Sequence, residues 1–381
     1  MVFMKYRTFG KIDFKPSALG FGAMRFPVID NNSSQIDKKQ AEQMVYHAID
    51  NGVNYLDTAY LYHQGQSEVF LGEILKNGYR QKVKIATKLP VWMIESKSDF
   101  DKLLDEELTR LQTYYIDFYL LHDLNKEKWS KVLKFDLIGQ VEKAISKGKI
   151  KNLGFSFHDD FLVFKEIVNG YDKWGFCLIQ YNFMDKNIQA GKKGLKYAAE
   201  KGLAVVIMEP LKGGRLASAP PSVQKIWDSA KTKRTPVEWA LSWVWNQPEV
   251  SLVLSGMSSL HQVKENIEFA NSSKTKMLST EELSLFEEVK KEYQKLFPIP
   301  CTNCQYCLPC PQGVNIPKVF EIYNNCFAYQ NAQIEKKQYQ FLPPEERAEN
   351  CVSCKKCESL CPQKIKISEE LKKAWKVLSA S

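Results

Sequence analysis

The sequence predicts an α/β fold, a (β/α)8 TIM barrel, followed by a small cysteine-rich α-helical domain. Two observations indicate the barrel: eight short apolar segments alternate with helical segments, and together they occupy roughly 250 residues. Such alternation is typical of a parallel sheet. A doubly wound open sheet is the alternative, but no GxGxxG follows the first strand to favour it. A third observation indicates the second domain, because nine of the ten cysteines lie between Cys301 and Cys361.

The first element is a hairpin around Gly10-Lys11, before the strands begin. The predicted strands are one ending near Gly22, then Tyr55–Asp57, Val83–Lys88, Ile116–His122, Lys151–Ser156, Leu178–Tyr181, Ala204–Glu209 and Ser251–Leu254. Amphipathic or apolar patterns predict helices between them, one opened by Ser67-Glu68 and others at Lys38–Asp50, Phe100–Leu111, Trp129–Lys147, Gly191–Lys201 and Thr235–Asn246.

Polar residues follow the predicted strands at their carboxyl ends: Asp57, Lys88, His122, Ser156, Gln180 and Glu209. In a barrel these ends share one face, and that face carries the active site. Each residue alone has a simpler interpretation; Asp57, for example, is more often a turn or helix cap. Six in series favour a functional site, and Tyr62 lies in the loop directly after Asp57.

Composition excludes several classes of protein. The formal net charge of +9 is spread over the chain, with no basic block that would predict nucleic-acid binding. No apolar run reaches the ~20 residues of a membrane span. The first residues, MVFMKYRTFG, lack the apolar region of a secretory signal, so we expect a cytoplasmic protein.

The segments GVNYLDTAYLYHQGQSE, IATKLP, YIDFYLLHD, IQYN and EPLKGG resemble successive motifs of the aldo-keto reductase superfamily, over about residues 5 to 270. The resemblance implies a barrel over residues 1–280 that reduces a carbonyl substrate, or oxidises an alcohol, with a nicotinamide as hydride carrier. It implies a catalytic tetrad of Asp57, Tyr62, Lys88 and His122. Tyr60 is the competing phenol; motif register favours Tyr62, and makes Tyr60 and His63 pocket walls.

The resemblance also implies a set of dinucleotide-binding residues: Gly22, Ala23, Met24, Ser156, Gln180, Met208, Leu211, Ser255, Gly256, Met257, Ser258, Gln262, Glu265 and Asn266. Three parts of this set depart from the family pattern. Phe157 follows Ser156 where an Asn is usual, and Met208 or Glu209 falls where an aromatic residue is common. Met257, Ser258 and Gln262 replace the basic residues that grip a 2′-phosphate. We therefore expect NADP(H) or NAD(H) with weak discrimination, and a flavin is a further option.

Two cysteine runs, CTNCQYCLPCP and CVSCKKCESLCP, predict iron–sulfur clusters. The second is the C-x2-C-x2-C-x3-C-P run of bacterial ferredoxins, in which the fourth Cys ligates the other cluster. This pattern assigns Cys301, Cys304, Cys307 and Cys361 to one [4Fe-4S] cluster, and Cys351, Cys354, Cys357 and Cys310 to a second. The predicted ferredoxin-like domain spans residues 295–381. Zinc is the weaker alternative, and Cys177 and Cys326 are expected to be packed thiols.

Three functions fit these features. The first is carbonyl reduction with nicotinamide, with the clusters relaying electrons. In the second, electrons enter through the clusters from ferredoxin or another redox protein, and the nicotinamide site is weak or vestigial. In the third, the cysteine-rich domain is only a structural or docking module.

Overall fold

The structure, a computed structural model, describes residues 3–380. Eight parallel strands form a closed barrel in sequence order, and β1 closes it by pairing with β8. The strands are β1 (Leu19–Gly22), β2 (Tyr55–Asp57), β3 (Lys84–Leu89), β4 (Ile116–Leu124), β5 (Ile150–Phe157), β6 (Phe176–Gln180), β7 (Ala204–Met208) and β8 (Val250–Gly256). Each predicted strand overlaps an observed one, which confirms the fold class.

Helices follow the strands and continue into the C-terminal region. They are α1 (Lys38–Asp50), α2 (Gln66–Ile74), α3 (Tyr79–Lys82), α4 (Ser98–Arg110), α5 (Lys126–Lys134), α6 (Leu137–Ser146), α7 (Phe161–Asn169), α8 (Gly191–Glu200), α9 (Pro221–Asp228), α10 (Pro236–Trp245), α11 (Leu260–Ser272), α12 (Thr280–Lys295), α13 (Ile316–Ala328), α14 (Ala332–Gln340), α15 (Lys356–Leu360) and α16 (Ile367–Leu378). Among residues 3–380, none of these helices is both long and apolar enough to cross a membrane.

One predicted helix is wrong in its extent. The segment Trp129–Lys147 is not one continuous helix, because the helical conformation is interrupted at Asp136, between α5 and α6. Asp136 has φ 54° and ψ 44°, a left-handed conformation that Asp tolerates better than most residues but that a helix interior excludes. The apolar pattern continues across the break, so periodicity alone did not reveal it.

The amino-terminal end of the barrel is closed by aromatic side chains. Phe9 comes from the predicted hairpin, where it pairs with Ile12, and its ring lies 5.0 Å from Phe118 and 5.8 Å from Phe176. Gly10 makes this turn with φ +56°, and a Cβ there would lie 2.5 Å from the backbone nitrogen of Ala204. Because this end is plugged, the open end for a ligand is the carboxyl end of the strands.

The chain divides into two compact units. One comprises the described residues up to Gly213 together with Glu238–Leu278, and the other comprises Gly214–Val237 together with the described residues from Ser279 onward. Residues 214–237, which the sequence analysis included in the barrel, thus group with the C-terminal unit. Within that unit α9 packs on α12, where the rings of Trp227 and Phe286 lie 5.0 Å apart.

The C-terminal unit has its own apolar core, built largely by α13, α14 and α16. Its buried members include Val319, Phe320, Tyr339, Leu371 and Ala374. Six of the cysteines pack against this core: Cys301, Cys307, Cys310, Cys351, Cys357 and Cys361. The unit is therefore helical, as predicted. Cys326 and, in the barrel, Cys177 are buried thiols.

Candidate active site

Lys88 is the centre of the predicted tetrad. Its Nζ lies 2.6 Å from Asp57 Oδ1, 2.6 Å from the carbonyl oxygen of Thr58 and 3.4 Å from the hydroxyl of Tyr62. Asp57 ends β2 and Lys88 lies in β3, so adjacent parallel strands bring the pair together at the open end. Tyr62 begins a short 3-10 turn after β2. The structure thus brings three of the four predicted residues into contact.

Burial and charge set the protonation states of these three groups. Burial lowers the pKa of Lys88, but Asp57 and Tyr62 outweigh it, so the pKa of Lys88 is raised and its ammonium stays charged. Burial raises the pKa of Asp57, although Lys88 opposes the change. The Tyr62 side chain keeps some exposed surface, yet burial raises the pKa of Tyr62 above its ordinary 10.0 despite Lys88. Tyr62 is therefore a protonated phenol at neutral pH.

His122, the fourth predicted residue, lies in β4 beside the same site. Its ring centroid is 6.3 Å from that of Tyr62 and 5.2 Å from that of Trp92. Burial, reinforced by the cations Lys88 and Lys128, holds the pKa of His122 well below its usual 6.5. Its Nδ1 is buried and has no hydrogen-bond partner within residues 3–380. A neutral imidazole can orient a carbonyl oxygen but cannot act as a strong acid.

The competing phenol, Tyr60, faces a different set of groups. Its hydroxyl donates to Glu106 Oε2 over 2.8 Å, and the guanidinium of Arg110 lies 4.1 Å from the centre of its ring. Tyr62, by contrast, contacts Lys88 through its hydroxyl and has the Lys88 Nζ 4.7 Å from its ring centre. The geometry favours Tyr62 over Tyr60 as the phenol that works with Lys88. His63 also turns to other groups, since its Nδ1 lies 2.8 Å from the Ser33 carbonyl oxygen.

The predicted dinucleotide residues lie at the ends of β1, β5, β6, β7 and β8 and in the segments that follow, with Gln262, Glu265 and Asn266 in α11. Gly22 pairs with Gly256 where β1 meets β8. Several of the polar side chains already have partners: Ser156 Oγ accepts from the Asp123 amide over 2.7 Å, and Asn266 donates to Ser255 over 3.1 Å. Ala23 is buried and Met24 exposed at the end of β1, while Met208 ends β7 and Leu211 follows it in the next turn.

The loop after β8 has few groups for a 2′-phosphate. The backbone amide of Ser258 donates to Gln262 Oε1 over 2.8 Å, so the oxygen of the Gln262 side chain is already engaged within this loop. Met257 is buried, and Glu265 pairs with His261 over 3.3 Å. Arg25, which the sequence analysis missed, lies against Gly256 and donates to the Gly213 carbonyl over 3.2 Å. Its position directly after Gly22-Ala23-Met24 was the available signal.

Comparison with known proteins decides the family. A model described as the aldo/keto reductase family matches residues 18–291, and a 4Fe-4S dicluster domain matches residues 300–365. The first match spans more than half of the chain. The protein belongs to the aldo/keto reductase family. Its relatives therefore support an oxidoreductase, and the second match supports iron–sulfur clusters. These comparisons lend no support to a flavin.

Individual relatives each cover about three quarters of this chain. The uncharacterized oxidoreductase YqkF of Bacillus subtilis is 26% identical over 322 residues, covering 76% of this chain and 97% of its own. The NADH-specific methylglyoxal reductase of Escherichia coli is 23% identical over 343 residues, covering 77% of this chain and 100% of its own. The holo structure of aldo-keto reductase AKR11C1 from Bacillus halodurans is 28% identical, with a TM-score of 0.62, covering 75% of this chain and 96% of that one.

The cysteines of the C-terminal unit form two groups that cross the two runs. Cys301, Cys304, Cys307 and Cys361 line one pocket, together with the apolar side chains of Ile316, Phe320, Ile365 and Ile367. In the other group, burial and then the neighbouring thiols of Cys310 and Cys351 raise the pKa of Cys357 to about 11. Cys354 lies exposed in the loop that leads from Cys351 to α15, and Cys357 lies in that helix. The structure thus brings cysteines of the two runs together in each group, and the ligand sets themselves stay a prediction.

The residues that line this pocket suit an iron–sulfur cluster. Zinc requires four ligands about 2.0–2.3 Å from one point. A [4Fe-4S] cluster instead takes one thiolate at each of four irons, around a larger centre. The apolar-walled pocket with a cysteine from each run therefore fits a cluster.

Proposed function

We propose that this aldo/keto reductase reduces an aldehyde or ketone, or oxidises the corresponding alcohol, with a nicotinamide dinucleotide as hydride carrier. The observation that carries the proposal is the buried Lys88 ammonium held between Asp57 and the phenol of Tyr62 at the open end of the barrel. A hydride added to a carbonyl leaves an alkoxide, which must receive a proton. Tyr62 is the protonated group with a cation beside it to stabilise the phenolate that results.

Each tetrad residue then has one task. The chemistry that a bound nicotinamide supplies is hydride transfer to the carbonyl carbon. Tyr62 donates its phenolic proton to the oxygen, and Lys88 stabilises the phenolate. Asp57 holds Lys88 in place and keeps it charged, and His122 orients the carbonyl oxygen as a neutral hydrogen-bonding group. In alcohol oxidation the same groups act in reverse, with the Tyr62 phenolate taking the proton.

We expect the cofactor preference to be weak. Each missing charge-assisted hydrogen bond to a 2′-phosphate removes ~1.5–3 kcal/mol of NADP(H) affinity. Anaerobically purified protein should consume both NADH and NADPH in the presence of a suitable carbonyl substrate, with similar dissociation constants measured by titration. Submicromolar NADPH binding with a preference of about a hundredfold over NADH would contradict this expectation. No consumption of either dinucleotide with any aldehyde or ketone would contradict the function itself.

A second function is favoured by the crossed cysteine groups: the clusters carry electrons to the barrel site from ferredoxin or another redox protein. A carbonyl needs two electrons and two protons to become an alcohol, and each reduced cluster supplies one electron. We predict that dithionite-reduced protein, freed of excess dithionite and without nicotinamide, is reoxidised by carbonyl substrates. The visible absorption of the clusters should recover at a rate that depends on the substrate and that Tyr62→Phe abolishes.

Two observations would count against this relay. The anaerobic protein is expected to contain close to eight iron and eight sulfide per chain. Stoichiometric zinc without sulfide would show that the protein holds no iron–sulfur clusters, and the relay would be refuted. If clusters are present but stay reduced with every substrate that NAD(P)H turns over, they serve as a structural or docking module.

A further inference from the structure

Gln180, at the end of β6, has one half of its amide engaged and the other half unpartnered. Its Nε2 donates to Asp185 Oδ2 over 3.0 Å. Its Oε1 is buried and accepts no hydrogen bond from the described part of the chain, and the residue is 5% exposed. A buried acceptor without a donor is destabilising, because it has lost its hydrogen bonds to water. An unmet acceptor at the open end of the barrel indicates a ligand that brings an N–H or O–H group.

The orientation of this amide follows from the chemistry of Asp185. An ionised carboxylate carries only acceptors, so it can face the –NH2 of Gln180 but not its oxygen. Lys212 Nζ lies 2.6 Å from the same Oδ2, and both side chains of this ion pair are largely buried. The ion pair holds the Asp185 side chain in the position where it fixes Gln180.

A turn after β6 places Asp185 for this contact. Asn182 Oδ1 accepts from the backbone amides of Met184 and Asp185, over 3.1 and 3.0 Å. Asn182 Nδ2 donates to Asp185 Oδ2 over 3.3 Å and to the Glu209 carbonyl oxygen over 3.2 Å. Asn182 therefore ties the turn after β6 to the end of β7.

We propose that Asp185 is a positioning residue for nicotinamide recognition, and the inference rests on the proposed nicotinamide site. Asp185 locks the Gln180 amide with its oxygen available, so the site selects a ring substituent that donates a hydrogen bond. The carboxamide of nicotinamide has such a donor, whereas the carboxylate of nicotinic acid has none. Ser156 shares little of this selection, because its hydroxyl oxygen already accepts from Asp123 and Phe157 follows it.

The test compares the binding of NAD⁺ with that of nicotinic acid adenine dinucleotide, by calorimetric titration of the cluster-loaded full chain. The two differ only in the group that Gln180 would contact. The wild-type protein should prefer NAD⁺ by about tenfold or more, since each tenfold is 1.4 kcal/mol. In Asp185→Ala no acceptor faces the –NH2 of Gln180, so the Gln180 amide is no longer held in one orientation and can turn over. The preference should then fall by about tenfold, toward equal binding.

Asp185→Glu is the matched variant, because it keeps the carboxylate and should retain most of the preference. A role of Asp185 limited to stabilising the turn would weaken the binding of both dinucleotides equally in Asp185→Ala and leave their ratio unchanged, which would overturn the proposal. Equal binding of the two by the wild-type protein would overturn it without any variant. If the wild-type protein binds neither, the nicotinamide site itself is refuted, and this inference with it.

Discussion

Replacement of Tyr62 by phenylalanine is expected to lower kcat for carbonyl reduction by about 10²–10⁴-fold while dinucleotide affinity stays nearly unchanged. The variant keeps the ring but removes the hydroxyl that lies 3.4 Å from Lys88 Nζ. No proton donor then remains next to the Lys88 ammonium, and the alkoxide must take its proton from water. Steady-state rates with saturating substrate, together with a separate dinucleotide titration, separate the loss of chemistry from a loss of binding.

Tyr60→Phe is the matched control, because Tyr60 lies in the same loop but donates to Glu106. Its effect should be mild. A loss of less than about tenfold in Tyr62→Phe, or an equal loss in both variants, would contradict the assignment.

The pH dependence of the reduction rate is a second test of Tyr62 as the proton donor. The donor must be protonated, and burial raises the pKa of Tyr62 above its ordinary 10.0, so Tyr62 should cause no fall in the reduction rate between neutral pH and about pH 9.

The features that the sequence predicted are those with a local pattern. Alternating apolar segments located the strands, and the five-residue spacing from Asp57 to Tyr62 located the start of the site. The predicted barrel also implied that Lys88 lies near Asp57, because β2 and β3 are neighbouring parallel strands with a fixed register. The cysteine groups followed in the same way from the spacing of two runs.

Features that depend on contacts between distant residues could not be predicted. Asp185 and Lys212 are 27 positions apart, and Arg215 and Glu335 are 120 apart. In the sequence each of these charged residues looks like an ordinary surface residue, and only the folded chain brings the two members of each pair together. The break at Asp136 has a different cause: a single left-handed residue interrupts a helical pattern that is otherwise continuous.

Removal of one partner from the ion pair of Arg215 and Glu335 is expected to destabilise the C-terminal unit strongly. Two guanidinium nitrogens of Arg215 contact the Glu335 carboxylate: Nε donates to Oε1, and Nη2 donates to Oε2 over 2.9 Å. The Glu335 side chain is fully buried and that of Arg215 is 11% exposed. Asn325 donates to the same Oε2 over 3.4 Å. Arg215→Met leaves this carboxylate buried without its cation, which typically costs about 3–5 kcal/mol.

Denaturant unfolding of the cluster-loaded protein, followed by the visible absorption of the clusters, measures the free energy of unfolding of this unit. The control is Lys318→Met, which breaks the half-exposed pair with Glu321 in the same unit and should cost less than about 1 kcal/mol. Arg215→Met combined with Glu335→Leu should recover most of the loss, because no buried charge then remains unpaired. A loss in Arg215→Met no larger than that of Lys318→Met would show that solvent reaches Glu335. A double variant as unstable as the single one would show that Arg215 acts through packing rather than charge, and either result would refute the electrostatic account.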